Sequence, residues 1–278
     1  MEKERRISQW LAHCCAARKT LCHFREVARQ PVARRTRDRF LILSRAAGSA
    51  AVNLQKIFRP LGKTEIIVDT PRACVKGLWY PDDQIRGYEG LMGCAHFPAL
   101  TAWSRAFYHL QQTLKDNESI WFVEEDVAGH PDAFRALVNL CHRDAPDLAA
   151  IQFRAPDRNP EWYWWGHMPD PDWFARPRSS FNPLCRLSSR LVREVLAVRA
   201  GRRRFTFHEI LFASVAYRQG MQILDWETSS EFSSLLGIFR YRPKVSWPLL
   251  GISHPVKAPF LHALISRSSS GLVSTLIA

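Results

Sequence analysis

The chain of 278 residues carries 39 Lys and Arg against 26 Asp and Glu, a net charge of +13, and is 46% apolar. Sixteen Phe, ten Trp and six Tyr exclude disorder over the whole length, and the length allows about one or two domains. The positive excess predicts an anionic partner: nucleic acid, a lipid surface or a phosphate-bearing small molecule.

Seven scattered cysteines (Cys14, Cys15, Cys22, Cys74, Cys94, Cys141, Cys185) contain no CxxC pair, which argues against a zinc ribbon or a disulfide framework. Reduced thiols and a cytoplasmic chain are expected. No apolar run reaches the length of a membrane span, and the charged start Glu2-Lys3-Glu4-Arg5-Arg6 does not read as a signal peptide.

Residues 1–39 hold eleven Lys and Arg and four acids, so +7 of the charge lies in a short leader. Trp10, Leu11, Leu21, Phe24 and Val27 recur at near-helical spacing, which predicts basic amphipathic helices ending at Pro31. Phe40–Leu43 reads as a buried strand, Ala46–Phe58 as a helix and Ile66–Val68 as a second strand. That succession has the length of a βαβ unit, which takes its ligand at the carboxyl ends of its strands, where Ser44, Arg45 and Asp69 stand. Residues 71–98 read as loop and Leu100–Leu114 as a helix. The apolar strand Ile120–Val123 runs into Glu124-Glu125-Asp126. A helix opens at Pro131, suited to a first turn. Leu148–Phe153 reads as a strand, 154–183 as an aromatic-rich loop, Leu187–Val198 and His208–Gln219 as helices, and Gln222–Leu224 as a strand. Residues 240–278 form a tail punctuated by Pro and Ser.

Three places carry candidate chemistry. Clustered carboxylates at a strand end need partners, either a divalent cation or arginines and the following helix. Strand alternation puts Glu124 and Asp126 on one side and Glu125 on the other. His208-Glu209 offers either a helix start favoured by the dipole or a general base. His254, beside Pro255, is either a late metal ligand or an ordinary histidine.

In this order the pieces resemble GT-A-fold glycosyltransferases, the nucleotide-sugar-dependent class. The motifs are Thr101–Ala106, Trp121–Val127, Arg186-Leu187-Ser188, Phe207-His208-Glu209 and His254–Lys257, and the acidic strand end is similar to an E-D-D-V-type metal motif. The resemblance covers roughly residues 39–258, between a basic helical leader (1–38) and a tail (259–278). It implies a three-layer αβα sandwich around a mostly parallel mixed sheet. It also implies a Mn²⁺ or Mg²⁺ ion bridging the diphosphate of a UDP- or GDP-sugar. Glu124, Asp126 and His254 would be the metal ligands. Ser44, Arg45, Asp69, Trp103 and Glu125 would line the donor site, Trp164 and Trp165 would stack on sugar, and Glu209 would be the base. The acceptor would be a saccharide or lipid-linked hydroxyl. Glu124-Glu125-Asp126 departs from a strict D-x-D, and Arg202-Arg203-Arg204 is unusually basic, fit to meet a diphosphate or an anionic acceptor.

Other classes compete. The charge and the aromatics are compatible with nucleic-acid binding, but no RRM, KH, zinc-finger or helix-turn-helix signature occurs, and the acids at 124–126 would repel a phosphate backbone. Clustered carboxylates also serve metal-dependent nucleases and nucleotidyltransferases. An inactive transferase-like protein is a further alternative. The basic leader is also suited to contact with the inner face of a membrane.

Overall fold

The computed structural model describes residues 19–29, 37–45, 48–71, 77–91, 100–168, 174–202, 206–239 and 251–256. Leader residues 1–18, Arg203 and Arg204, Lys257 and residues 259–278 lie outside that set. The chain divides into two units: Thr36–Glu125 with Ala145–Ser229, and Met1–Arg35 with Asp126–Asp144 and Ser230–Ala278.

In the larger unit the apolar run at Phe40 forms the centre of β1 (Arg37–Ser44), followed by α2 (Ser49–Phe58) and β2 (Lys63–Val68). Then come α3 (Ala102–Thr113), β3 (Glu118–Glu124), β4 (Leu148–Arg154), β5 (Ser179–Ser188), α5 (Ser189–Arg202), α6 (His208–Arg218) and β6 (Ile223–Asp225). The six strands form one sheet in the order β2-β1-β3-β5-β4-β6. β1 runs parallel to β2 and β3, and β4 parallel to β6, while β5 is antiparallel to both of its neighbours. The fold is thus α/β with a mostly parallel mixed sheet, as the resemblance implies.

Strand alternation sorts the core onto two faces. On one face Phe40 stacks on Phe58 of α2 (4.6 Å between ring centroids) and on Trp121 (5.8 Å). On the other, Phe122 stacks on Phe107 of α3 (5.3 Å) and meets Phe212 of α6 (6.1 Å). Leu191, Val192 and Val195 of α5 join that second cluster. Helices therefore flank the sheet on both faces, the three-layer arrangement. α6 is buried from His208 to Ala216, which is why its sequence is apolar all round. α3 starts cleanly because Ser104 Oγ accepts the Thr101 backbone N–H (3.3 Å).

Three expectations need correction. Residues 154–183 are not all loop, because β5 begins at Ser179 and lies between β3 and β4. Its sequence, Ser-Ser-Phe-Asn-Pro-Leu-Cys-Arg-Leu-Ser, lacks an apolar run. Pro183 cannot donate to a ladder, and the pairing with β4 shifts register there, beside Gln152 at positive φ (58°). Arg186 is tolerated inside the sheet because its guanidinium donates to Pro146 O and to Ser119 Oγ (2.6 Å). α5 accordingly starts at Ser189, after Leu187 and Ser188 have completed β5. The segment 71–98 also contributes to the sheet: Leu78 bridges β2, and Ile85, Tyr88 and Leu91 are buried.

Near the start of β1 a buried ionic network fixes the sheet. Arg39 Nε meets Glu65 Oε2 at 2.5 Å and Arg39 donates to Thr113 Oγ1 (2.8 Å). His109 Nε2 lies 3.1 Å from Glu65 Oε1, and its Nδ1 meets Tyr80 Oη. Burial alone would raise the Glu65 pKa, but hydrogen bonds from His109, Arg39 and Lys63 hold it well below the usual range.

In the smaller unit, residues 19–29 form helix α1, whose apolar side (Leu21, Phe24, Val27) is buried while Lys19, Arg25 and Arg29 face outward. Packing takes up the apolar face of this part of the leader. It is tied to α4 (Pro131–Asp144) by Arg25–Asp132 (3.2 Å) and by Asn139 Nδ2 donating to Ala28 O (2.8 Å). α7 (Ser230–Ser233) leads into β7 (Leu236–Phe239), which pairs in parallel with β8 (Ile252–His254). Gly251 allows that pairing, since a Cβ there would sit 2.7 Å from the backbone of Gly237 and Leu236. Among the described residues no helix is long and apolar enough to cross a membrane.

Candidate functional site

In the larger unit, β1, β2 and β3 end side by side. The ladders continue one residue further: Asp69 N–H donates to Ser44 O (3.1 Å) and Glu125 N–H to Leu43 O (2.9 Å). Three residues marked in the sequence therefore stand together at the carboxyl edge of parallel strands, where such sheets take their ligands. The Glu125 carboxylate is fixed from both sides. Ser44 Oγ donates to one oxygen, and the Arg45 backbone N–H to the other at 3.1 Å.

Asp69 contributes a carboxylate in an unusual setting. Burial pushes its pKa up, the Ala102 N–H and the charges of Arg105 and Arg45 oppose this, and Glu125 adds to the rise. Its Oδ1 is buried without a hydrogen-bond partner. A buried acceptor of that kind is costly unless a donor meets it, so the geometry suits a ligand hydroxyl or N–H.

Glu124, the last residue of β3, turns away from Glu125 as alternation predicts. Its Oε1 accepts the Trp103 indole N–H at 3.1 Å. Trp103 itself is 2% exposed and stacks on Phe122 (4.9 Å) and on His208 (4.0 Å, 16° between planes), so its contacts are internal. His208 opens α6, and its burial pushes its pKa down to about 3. Asn182 Nδ2 donates to His208 O (3.3 Å). Glu209 follows, also buried. The buried Cys185 thiol is pushed well up, first by burial and then by the charges of Glu124 and Glu209. Cys185 and Asn182 were not marked in the sequence, because a lone thiol and a lone amide carry no spacing signal.

The aromatic segment packs on the same end of α6. Trp164 lies 4.7 Å from Phe207, and Trp165 meets Trp162 edge-on (4.8 Å) while donating to Asn159 O (2.8 Å). Tyr163, between them and Trp162, is exposed.

In the smaller unit, His254 Nε2 lies 3.2 Å from Asp126 Oδ1. The approach is built from backbone. Ala128 and Ser253 exchange hydrogen bonds (2.9 and 2.7 Å), and Val256 N–H donates to Asp126 O (2.7 Å). A histidine far along the chain is thereby pinned to the acid that ends the triplet. Its donor set, carboxylate oxygen and imidazole nitrogen without thiolate, fits a hard or borderline divalent cation.

A scan against protein-family models matches none, and a search of curated proteins finds no significant match.

Proposed function

We propose that the chain is a divalent-cation-dependent glycosyltransferase, moving a sugar from a nucleoside-diphosphate donor to a hydroxyl of a saccharide or lipid-linked acceptor. The observation that carries this reading is the set Ser44, Asp69 and Glu125 at the ends of three adjacent parallel strands, with Glu124 adjacent in the chain and linked through Trp103 to His208, the residue before Glu209. The mixed sheet with helices on both faces supports the GT-A resemblance. The transferase part is taken as residues 39–258. The basic leader, residues 1–38, is assigned peripheral contact with an anionic membrane surface.

Asp126 and His254 would hold Mn²⁺ or Mg²⁺, together with Glu124 two positions earlier in the chain. When bound, the ion supplies charge stabilisation for the departing diphosphate. Ser44, Arg45 and Asp69 contact the nucleoside, and Glu125 holds the β1 loop in shape through Ser44 and Arg45. Glu209 accepts the proton of the acceptor hydroxyl as its oxygen bonds to the anomeric carbon. The bond from that carbon to the diphosphate oxygen breaks, and the diphosphate leaves with the electron pair. Trp164 and Trp165 offer ring faces to the sugar beside this site.

Thermal unfolding with UDP or GDP, with and without Mn²⁺, tests the reading. A ligand bound to the folded state raises the midpoint by mass action, and a rise that requires both nucleotide and Mn²⁺ is expected. No rise with any nucleoside diphosphate would sink it. Release of pyrophosphate or oligonucleotide fragments, and not of a nucleoside diphosphate, would assign a nucleotidyltransferase or nuclease.

A further inference from the structure

Trp103 was expected to touch substrate, yet it is buried among Phe122, Phe212 and His208 and spends its one polar atom on Glu124. The geometry points to Trp103 as a positioning residue for Glu124: its indole N–H fixes one carboxylate oxygen, and with it the rotamer that Glu124 presents to a divalent cation. The inference rests on the reading of Glu124 as a metal ligand.

Four observations carry it. The indole is a donor only, so it favours the ionised carboxylate that a cation requires. Its ring is locked by close stacking on His208 (4.0 Å) and on Phe122 (4.9 Å), so the N–H cannot swing away. The backbone of His208 is held in turn: its amide N–H donates to Leu91 O (2.9 Å) and its carbonyl accepts from the Asn182 amide (3.3 Å). Finally, Glu124 is the last registered residue of β3, so the ladder with Leu43 holds its backbone and leaves its side-chain rotamer as what the indole sets. Groups behind a metal ligand that orient it by hydrogen bonding are worth about 10- to 100-fold in metal affinity.

The test is a Mn²⁺ titration of the full chain, with bound Mn²⁺ read by loss of the free-ion electron paramagnetic resonance signal. W103F retains a ring on His208 and removes the N–H. It is expected to weaken Mn²⁺ binding about 10- to 100-fold. In the E124Q background the same substitution is expected to add almost nothing, since the two residues act through one bond. Unchanged affinity in W103F, or an equal loss in both backgrounds, overturns the positioning role alone. No Mn²⁺ binding by the parent chain overturns the metal reading as well.

A second readout needs no substitution of Trp103. E124Q is expected to shift one indole N–H resonance in a nitrogen–proton correlation spectrum, and Mg²⁺ added to the parent chain is expected to shift the same one. If Mg²⁺ leaves that resonance unmoved, the inference fails even where W103F does not fold.

Discussion

The imidazole of His208 lies nearly flat on the indole of Trp103, 4.0 Å between centroids and 16° between planes, and it is buried. Burial lowers its pKa from the ordinary 6.5 to about 3. The folded chain therefore keeps it neutral where the unfolded chain takes up a proton. Its contribution is complete above about pH 6.5 and is lost progressively as the pH falls from there toward 3. Between about pH 7 and pH 5 the loss is on the order of 2 kcal/mol. H208F retains a stacked ring and cannot titrate, so its urea midpoint should fall less over that interval than the parent's. Equal falls would assign the acid sensitivity to other groups.

Asp126 and His254 answer to a different measurement. D126A is expected to keep the far-ultraviolet circular dichroism of the parent and to lose Mn²⁺-dependent nucleotide binding by more than about 100-fold, beyond what an orienting group contributes. H254A should lose less, since one carboxylate can still serve a hard cation. Full turnover of a nucleotide-sugar by D126A would contradict the assignment.

The reach of the sequence is clearest at these residues. Asp69, Ser44 and Glu125 were legible because short apolar runs end at them, and parallel strands of similar length end together. The partnership of His254 with Asp126 came from resemblance alone, since backbone pairing between Ala128 and Ser253 leaves no pattern in either segment. Trp103 misled: aromatic residues near a site read as ligand contacts, whereas here helical spacing with Phe107 and Leu110 already marked a buried face. β5 was missed because Ser180, Asn182, Pro183 and Arg186 break its apolar pattern. A strand with neighbours on both sides and layers on both faces still accepts such residues where bulges and local hydrogen bonds meet their needs.

Glu65 offers a test of the fold without touching the site. Arg39 is 2% exposed, so E65A leaves a buried guanidinium with fewer partners and should cost about 3–5 kcal/mol. E65Q should cost less, because an amide oxygen still accepts from Arg39. The carboxylate's contribution is present above its ordinary pKa of 4.5 and disappears as the pH falls below it, toward the depressed folded value. Chemical denaturation of both variants at neutral pH checks the order, and a neutral E65A would refute it.

Gly251 connects a small residue to the far histidine. A methyl group there meets the backbone of Gly237 and Leu236 at 2.7 Å, so β8 must move. G251A should destabilise the smaller unit by about 1–3 kcal/mol, the usual range for overpacking. It should also weaken Mn²⁺ binding through displacement of His254, with little loss of sheet signal. Unaltered Mn²⁺ affinity in a folded G251A would show that His254 is held by other means.

β5 has a consequence for how the chain is made. β3 and β4 do not pair with each other, so residues 179–188 are what join β2-β1-β3 to β4. During synthesis the chain emits β1 through β4 before that connecting strand. Until it arrives, β3 and β4 each offer a row of unmet backbone donors and acceptors, with Trp121 and Phe122 on one of them. Nascent chains halted before Ser179 should therefore be the species that chaperones bind and that aggregate, by edge pairing between copies.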